Sequence, residues 1–196
     1  MFQNINYKVD TIAKKALEFA AYAHTGQLRK YTDVPYITHC IHVAEILKSH
    51  GVEDEKLISA AYLHDTLEDT ETDESALRRA FGDAITQLVL EVTDISRPEN
   101  GNRRIRKEID CAHIAEASPD GQLLKLADLI SNTMSITVFA PKFAAIYLGE
   151  KERLLSVIQS RQFGLWDSAN SMLVASQTYL KSLEWNEQAS TPIELS

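Results

Sequence analysis

Apolar residues recur at spacings of three and four through most of this chain, and only seven glycines and five prolines interrupt them. That pattern selects helices, each burying one face, whereas a turn-rich β architecture needs far more of both punctuating residues. Helices are expected over residues 10–24, a segment capped by Thr38 and ending at His50-Gly51, residues 54–69, residues 73–81 and 83–92 parted by Gly82, and residues 103–117. Ser118-Pro119-Asp120 supplies a polar cap, a first-position proline and an early acid, opening a helix that reaches Ser135. Residues 141–158 and 165–183 complete the series, with Trp166, Tyr179 and Trp185 packing rather than reacting. At 196 residues the chain suits one core better than two, and no repeat or linker divides it. The expectation is an all-α single domain of eight or more helices over residues 1–185, followed by a polar tail at 186–196.

A formal net charge of −8 argues against broad binding of a nucleic-acid polymer, which needs a large basic face. A small anionic ligand needs only a local basic patch. Arg29-Lys30 in the loop at 27–38 and the Arg103-Arg104-Ile105-Arg106-Lys107 run offer two, although a solvated surface is the commoner reason for either. Two cysteines, Cys40 and Cys111, make no disulfide framework, so a reducing cytoplasm is expected. The first residues lack the apolar core of a signal peptide, and no run of about 18 apolar residues suits a membrane span. A soluble protein is expected, with a homo-oligomer compatible.

The anomaly is Ala61-Tyr62-Leu63-His64-Asp65-Thr66-Leu67-Glu68-Asp69, an apolar run that abruptly presents an imidazole and three carboxylates. On a continuous helix His64 and Glu68 share a face, with Asp65 and Asp69 on the next strip. Burying that much negative charge is costly without a counter-charge, and a divalent cation supplies one. Two further oddities lie elsewhere. His39 sits in a first helical turn, with His42 one turn later, and Asp128 is embedded among Leu123, Leu124, Leu126, Leu129 and Ile130 with Asn132 one turn on. His39, His64, Asp65 and Asp128 together make a ligand set for a divalent transition metal with positions left open. No His-Glu-x-x-His, paired Cys-x-x-Cys, phosphate-binding glycine loop or Gly-x-Ser-x-Gly is present, which removes the zinc peptidase, P-loop and serine hydrolase readings.

Taken in order, Arg29-Lys30, Pro35-Tyr36-Ile37-Thr38-His39, Leu63 to Thr70, Phe81-Gly82, Glu91-Val92-Thr93-Asp94 and Lys125-Leu126-Ala127-Asp128 with Asn132 resemble the HD-domain hydrolases of guanosine tetraphosphate, and most of all their small stand-alone type. The resemblance implies a Mn²⁺-dependent pyrophosphohydrolase that removes the 3′-diphosphate of a small nucleotide. It implies that His39, His64, Asp65 and Asp128 hold the metal and that Glu68 and Asp69 position and activate the attacking water. It further implies that Arg29 and Lys30 meet the guanine and phosphates, that Asn132 bonds the ribose region and that Arg103 contacts a phosphate. The chain departs from the family pattern at Cys40, Leu129 and Met134 and in the helix from Pro141. Another phosphorylated nucleotide as substrate, or a nucleotide-binding module without turnover, are the alternative readings.

Overall fold

The structure, a computed structural model, describes residues 11–189, with side chains described through 183. Among them nine α-helical segments and two 3-10 turns follow one another: α1 (Ile12–Ala23), α2 (Ile37–Ser49), α3 (Glu55–Leu63), α4 (Thr66–Asp69), α5 (Glu74–Val92), α6 (Arg103–Ala115), α7 (Pro119–Phe139), α8 (Pro141–Val157) and α9 (Leu165–Ala189). Their starts follow local chemistry. The side chains of Thr11, Asp54, Asp73, Asn102 and Ser118 each accept a hydrogen bond from an amide of the first turn of α1, α3, α5, α6 and α7. Gly82, at φ +77°, divides α5 into two helical pieces as its position in the sequence predicts.

Helix α7 is the hub. It packs against α2, α3, α5, α6, α8 and α9, and Leu123, Leu124, Leu126, Ala127 and Leu129 are almost wholly inaccessible. A helix buried nearly all round has to satisfy any polar side chain internally. Gln122, 4 % exposed, does so by joining three elements. Its Oε1 accepts from the amides of Gln159 and Ser160 at 2.9 Å each, and its Nε2 donates to Ile114 O at 3.3 Å. Gln122→Leu strands the buried amide of Ser160 and the part-buried amide of Gln159, so urea denaturation of that variant should show a loss of about 1–3 kcal/mol.

Three expectations are corrected. Thr38 does not cap α2: Tyr36 already has helical φ/ψ and takes the cap position, while the Thr38 hydroxyl donates back to Pro35 O at 2.7 Å. The helix expected over residues 54–69 breaks after Leu63. Asp65 adopts ψ −2°, and two side chains engage backbone carbonyls at the break, His64 Nδ1 on Ala61 O (2.9 Å) and the Thr66 hydroxyl on Leu63 O (2.6 Å). His64 and Glu68 therefore do not share one continuous helical face. Finally, α9 extends to Ala189, past the expected end at Leu183 and into the expected polar tail. The remainder of that tail, residues 190–196, and the first residues of the chain lie outside the described residues, as does the Trp185 side chain.

Candidate metal centre

Three helices deliver the site. The first turn of α2 carries His39, the break between α3 and α4 carries His64 and Asp65, and the middle of α7 carries Asp128. His39, His64 and Asp65 each offer one donor atom within 4.8 Å of the others. Asp128 stands outside that trio but reaches both rings, its Oδ1 lying 3.2 Å from His39 Nε2 and 3.8 Å from His64 Nε2. Asp65 Oδ2 lies 3.4 Å and 3.1 Å from the same two atoms.

Both Nε2 atoms are buried and engaged in no hydrogen bond. Two buried imidazole nitrogens facing two carboxylates call for something shared between them, an ion or protons. The donor set suits a divalent ion, because ligands at about 2.1 Å from one ion sit roughly 3 Å apart when adjacent. The residues therefore fit the metal implied by their pattern.

The electrostatics are coupled. Burial alone would depress the pKa of His64, but the carboxylates of Asp65 and Asp128 overcome it and push it up to about 10. Burial likewise opposes ionisation of Asp65, yet His64 and His39 hold its carboxyl well below the usual range. Asp128 is held low against burial chiefly by Lys125, whose Nζ is 3.2 Å from Oδ2. Without an ion, the chain thus supplies its own counter-charge through protons and Lys125.

The side chains expected to act on water sit beyond the break. Glu68 Oε2 accepts from the Asp94 amide at 3.2 Å. Part of the Glu68 side chain is open to solvent, yet the atoms packed around its carboxyl, and then Asp94, raise its pKa to about 7. Asp69 is also raised, first by burial and then by Asp65. Glu68 borders a cavity of about 270 Å³ with Asp94, Ser96, Arg97, Arg103, Arg106 and Lys107.

The expected substrate residues divide into two groups. Arg29 is brought to the centre: its Nη2 donates to Asn132 Oδ1 (3.1 Å) and Ser135 Oγ (2.9 Å), while Asn132 Nδ2 donates to Asp128 at 2.6 Å. Lys30 stays exposed, its Nζ 5.4 Å from the Tyr31 ring centroid. Arg103 forms a bidentate pair with Glu150 at 2.6 and 2.8 Å and lies over the Phe143 ring.

The structure adds residues that sequence reasoning did not single out. The Tyr36 hydroxyl donates to Asp65 Oδ2 at 2.6 Å and its ring stacks on His24. The Ser131 hydroxyl lies between His39 and His42. Burial, then His39 and Arg29, hold His42 below the ordinary imidazole value. A signal existed for two of these positions: Tyr36 and Ser131 each lie three residues, one helical turn, from a candidate ligand, as Lys125 also does.

An all-α bundle with histidines and adjacent His-Asp gathered from separate helices defines a class, and comparison with known proteins agrees. The HD domain family matches residues 16–117, more than half the chain, and this chain belongs to that family. The matched span includes His39, His64, Asp65, Glu68 and Asp69 and ends before Asp128.

More particular relatives follow. The chain is 35% identical over 129 residues to the guanosine-3′,5′-bis(diphosphate) 3′-pyrophosphohydrolase MESH1 of Drosophila melanogaster, covering 65% of this chain and 70% of that one. The human protein of the same name is 37% identical over 130 residues, covering 65% and 71%. A solved structure described as a metazoan ortholog of SpoT that hydrolyses ppGpp superposes with a TM-score of 0.76 at 26% identity, covering 84% of this chain and 94% of that one. Among the described residues no helix is long and apolar enough to cross a membrane.

Proposed function

We propose that this chain is a Mn²⁺-dependent, cytoplasmic pyrophosphohydrolase that removes the 3′-diphosphate from guanosine tetraphosphate. The observation that carries the reading is the pair of buried, unbonded Nε2 atoms of His39 and His64 facing Asp65 and Asp128. The names of the relatives support the substrate.

In this reading His39, His64, Asp65 and Asp128 hold the ion, two carboxylates balancing a divalent charge. A bound ion supplies Lewis acidity, polarising a phosphoryl oxygen and acidifying a water. Tyr36 orients the Asp65 carboxylate, and Asn132 with Lys125 orients that of Asp128. Glu68 takes the proton of the attacking water, since a carboxylate with a pKa near 7 is both partly ionised and basic enough at neutral pH. Asp69 positions the same water. The water oxygen bonds to phosphorus, the bond from phosphorus to the ribose 3′-oxygen breaks, and that oxygen takes up a proton as pyrophosphate leaves.

Arg29 and Lys30 meet the guanine and phosphates, Asn132 the ribose region and Arg103 a phosphate. Arg29 is already oriented by Asn132 and Ser135. Arg103 is half exposed in its pair with Glu150, and such pairs contribute about 1 kcal/mol or less, so a phosphate can compete for its guanidinium.

Purified protein loaded with Mn²⁺ and offered guanosine tetraphosphate beside a panel of phosphorylated nucleotides tests the reading. Pyrophosphate should appear from the tetraphosphate and stop on adding a chelator. Inorganic phosphate from a different nucleotide, or tight binding without turnover, would replace the proposed substrate or the proposed activity respectively.

A further inference from the structure

The two candidate imidazole ligands are oriented by different kinds of partner. His64 Nδ1 lies 2.9 Å from Ala61 O. A carbonyl only accepts, so that nitrogen carries a proton and Nε2 of the neutral ring keeps its lone pair. His39 Nδ1 instead faces the hydroxyl of Ser131 at 3.0 Å. A hydroxyl both donates and accepts, so Ser131 by itself permits two neutral tautomers of His39. In one, Nε2 presents a lone pair to the space between Asp65 and Asp128. In the other, Nε2 carries a hydrogen and cannot bind an ion.

The second neighbour of Ser131 ties that choice to another ring, because the single hydroxyl hydrogen can go to only one of the two. His42 Nδ1 lies 2.9 Å from the same hydroxyl oxygen. His42 is three residues after His39 on α2, so both rings reach across to the one hydroxyl on α7. Ser131 is 1 % exposed and His39 is 2 % exposed, so solvent has little access to the hydroxyl. His42 is only half-buried and borders an open pocket with Arg29, Thr38 and Ser135.

We propose that His42 is a positioning residue for the metal centre, accepting the Ser131 hydroxyl hydrogen at Nδ1 so that the Ser131 oxygen accepts the Nδ1–H of His39 and the His39 Nε2 lone pair is left for the ion. A His39 that ligates through Nε2 sets the direction of the chain of donors: His39 Nδ1–H to Ser131 Oγ, and Ser131 Oγ–H to His42 Nδ1. His42 is then the Nε2–H tautomer, with that group available to solvent in the open pocket. The inference rests on the metal reading given above. It assigns a role to a histidine that is not itself a ligand and to a serine that carries no charge.

Partners that fix the tautomer of a ligating histidine typically change metal affinity by about 10–100-fold. Calorimetric titration of the full chain with Mn²⁺ alone, with no nucleotide, compares wild type with His42→Phe and His42→Asn. Phenylalanine keeps a ring of similar size without an acceptor, and should weaken binding by roughly tenfold or more. Asparagine returns an acceptor oxygen close to the Nδ1 position and should restore affinity to within about threefold of wild type. Nitrogen-15 spectra of the histidine rings in the wild-type protein saturated with diamagnetic Zn²⁺ in place of Mn²⁺ should read His42 as the Nε2–H tautomer. Unchanged affinity in His42→Phe, no recovery in His42→Asn, or an Nδ1–H tautomer at His42 would each overturn the relay while leaving the metal centre standing. The ring spectra decide the matter even if a variant fails to fold. Absence of Mn²⁺ binding by the wild type would instead remove the metal reading, and the relay with it.

Discussion

Asp128→Asn should weaken Mn²⁺ binding by about two orders of magnitude and slow turnover by about a thousandfold, with the helical fold retained. Asp128 is 6 % exposed, and its carboxyl is paired with Asn132, Lys125 and the rings of His39 and His64. Lys125 and the imidazoles hold it ionised against burial, so at any assay pH near neutrality it brings a full negative charge to the centre. The amide keeps its volume and one oxygen for Asn132 but removes that charge. Lys125 is not stranded, because Val92 O accepts from its Nζ at 3.3 Å and Asp94 and Glu68 still favour its charged form. Calorimetry for the affinity and far-ultraviolet circular dichroism for the fold separate a lost ligand from a lost structure. Wild-type affinity in the folded variant would remove Asp128 from the ligand set.

Glu68→Gln should retain Mn²⁺ affinity within about threefold while lowering kcat by about 10²–10⁴-fold, the range expected for loss of a general base. Packing around the carboxyl and the neighbouring Asp94 raise its pKa to about 7. A base has to be deprotonated, so wild-type kcat/KM should fall as pH drops through the carboxyl pKa. A nearby cation favours the carboxylate, so that acid limb should lie no higher than about 7. The glutamine variant should lose the limb attributable to Glu68. A kcat reduced by less than about threefold, or an unchanged acid limb, would assign proton transfer elsewhere.

The parts of this protein written in short-range chemistry were legible in the sequence. The α7 helix announces itself through Ser118, Pro119 and an apolar run, and Asp128 stands out because Leu126, Ala127, Leu129 and Ile130 flank it. His39, His64 and Asp65 were named from the same contrast between residue type and surroundings, and the fold brings them within 4.8 Å of one another. The break after Leu63 was not legible because no glycine or proline marks it. It is associated with the His64 ring and the Thr66 hydroxyl bonding to carbonyls of the preceding turn, an effect to which apolar periodicity is blind. The roles of Tyr36 and Ser131 are hidden in the sequence for a related reason. A phenol and a hydroxyl carry no charge at neutral pH, and their roles exist only once α2, the α3–α4 break and α7 have packed together. The Arg103–Glu150 pair likewise joins residues 47 apart in sequence, a distance that no local pattern spans.

In the proposed site two histidines and two aspartates from separate helices hold one divalent ion. Titrating metal-free protein with Mn²⁺ at pH 7 and pH 8 by calorimetry tests it most directly. Because a carboxylate-paired His64 with a pKa of about 10 has to surrender its proton to the ion, affinity should rise about tenfold across that one pH unit. One saturable site per chain, that pH dependence, and loss of the site in His64→Ala are the expected results. No saturable binding, or a site of wild-type affinity in folded His64→Ala protein, would contradict them.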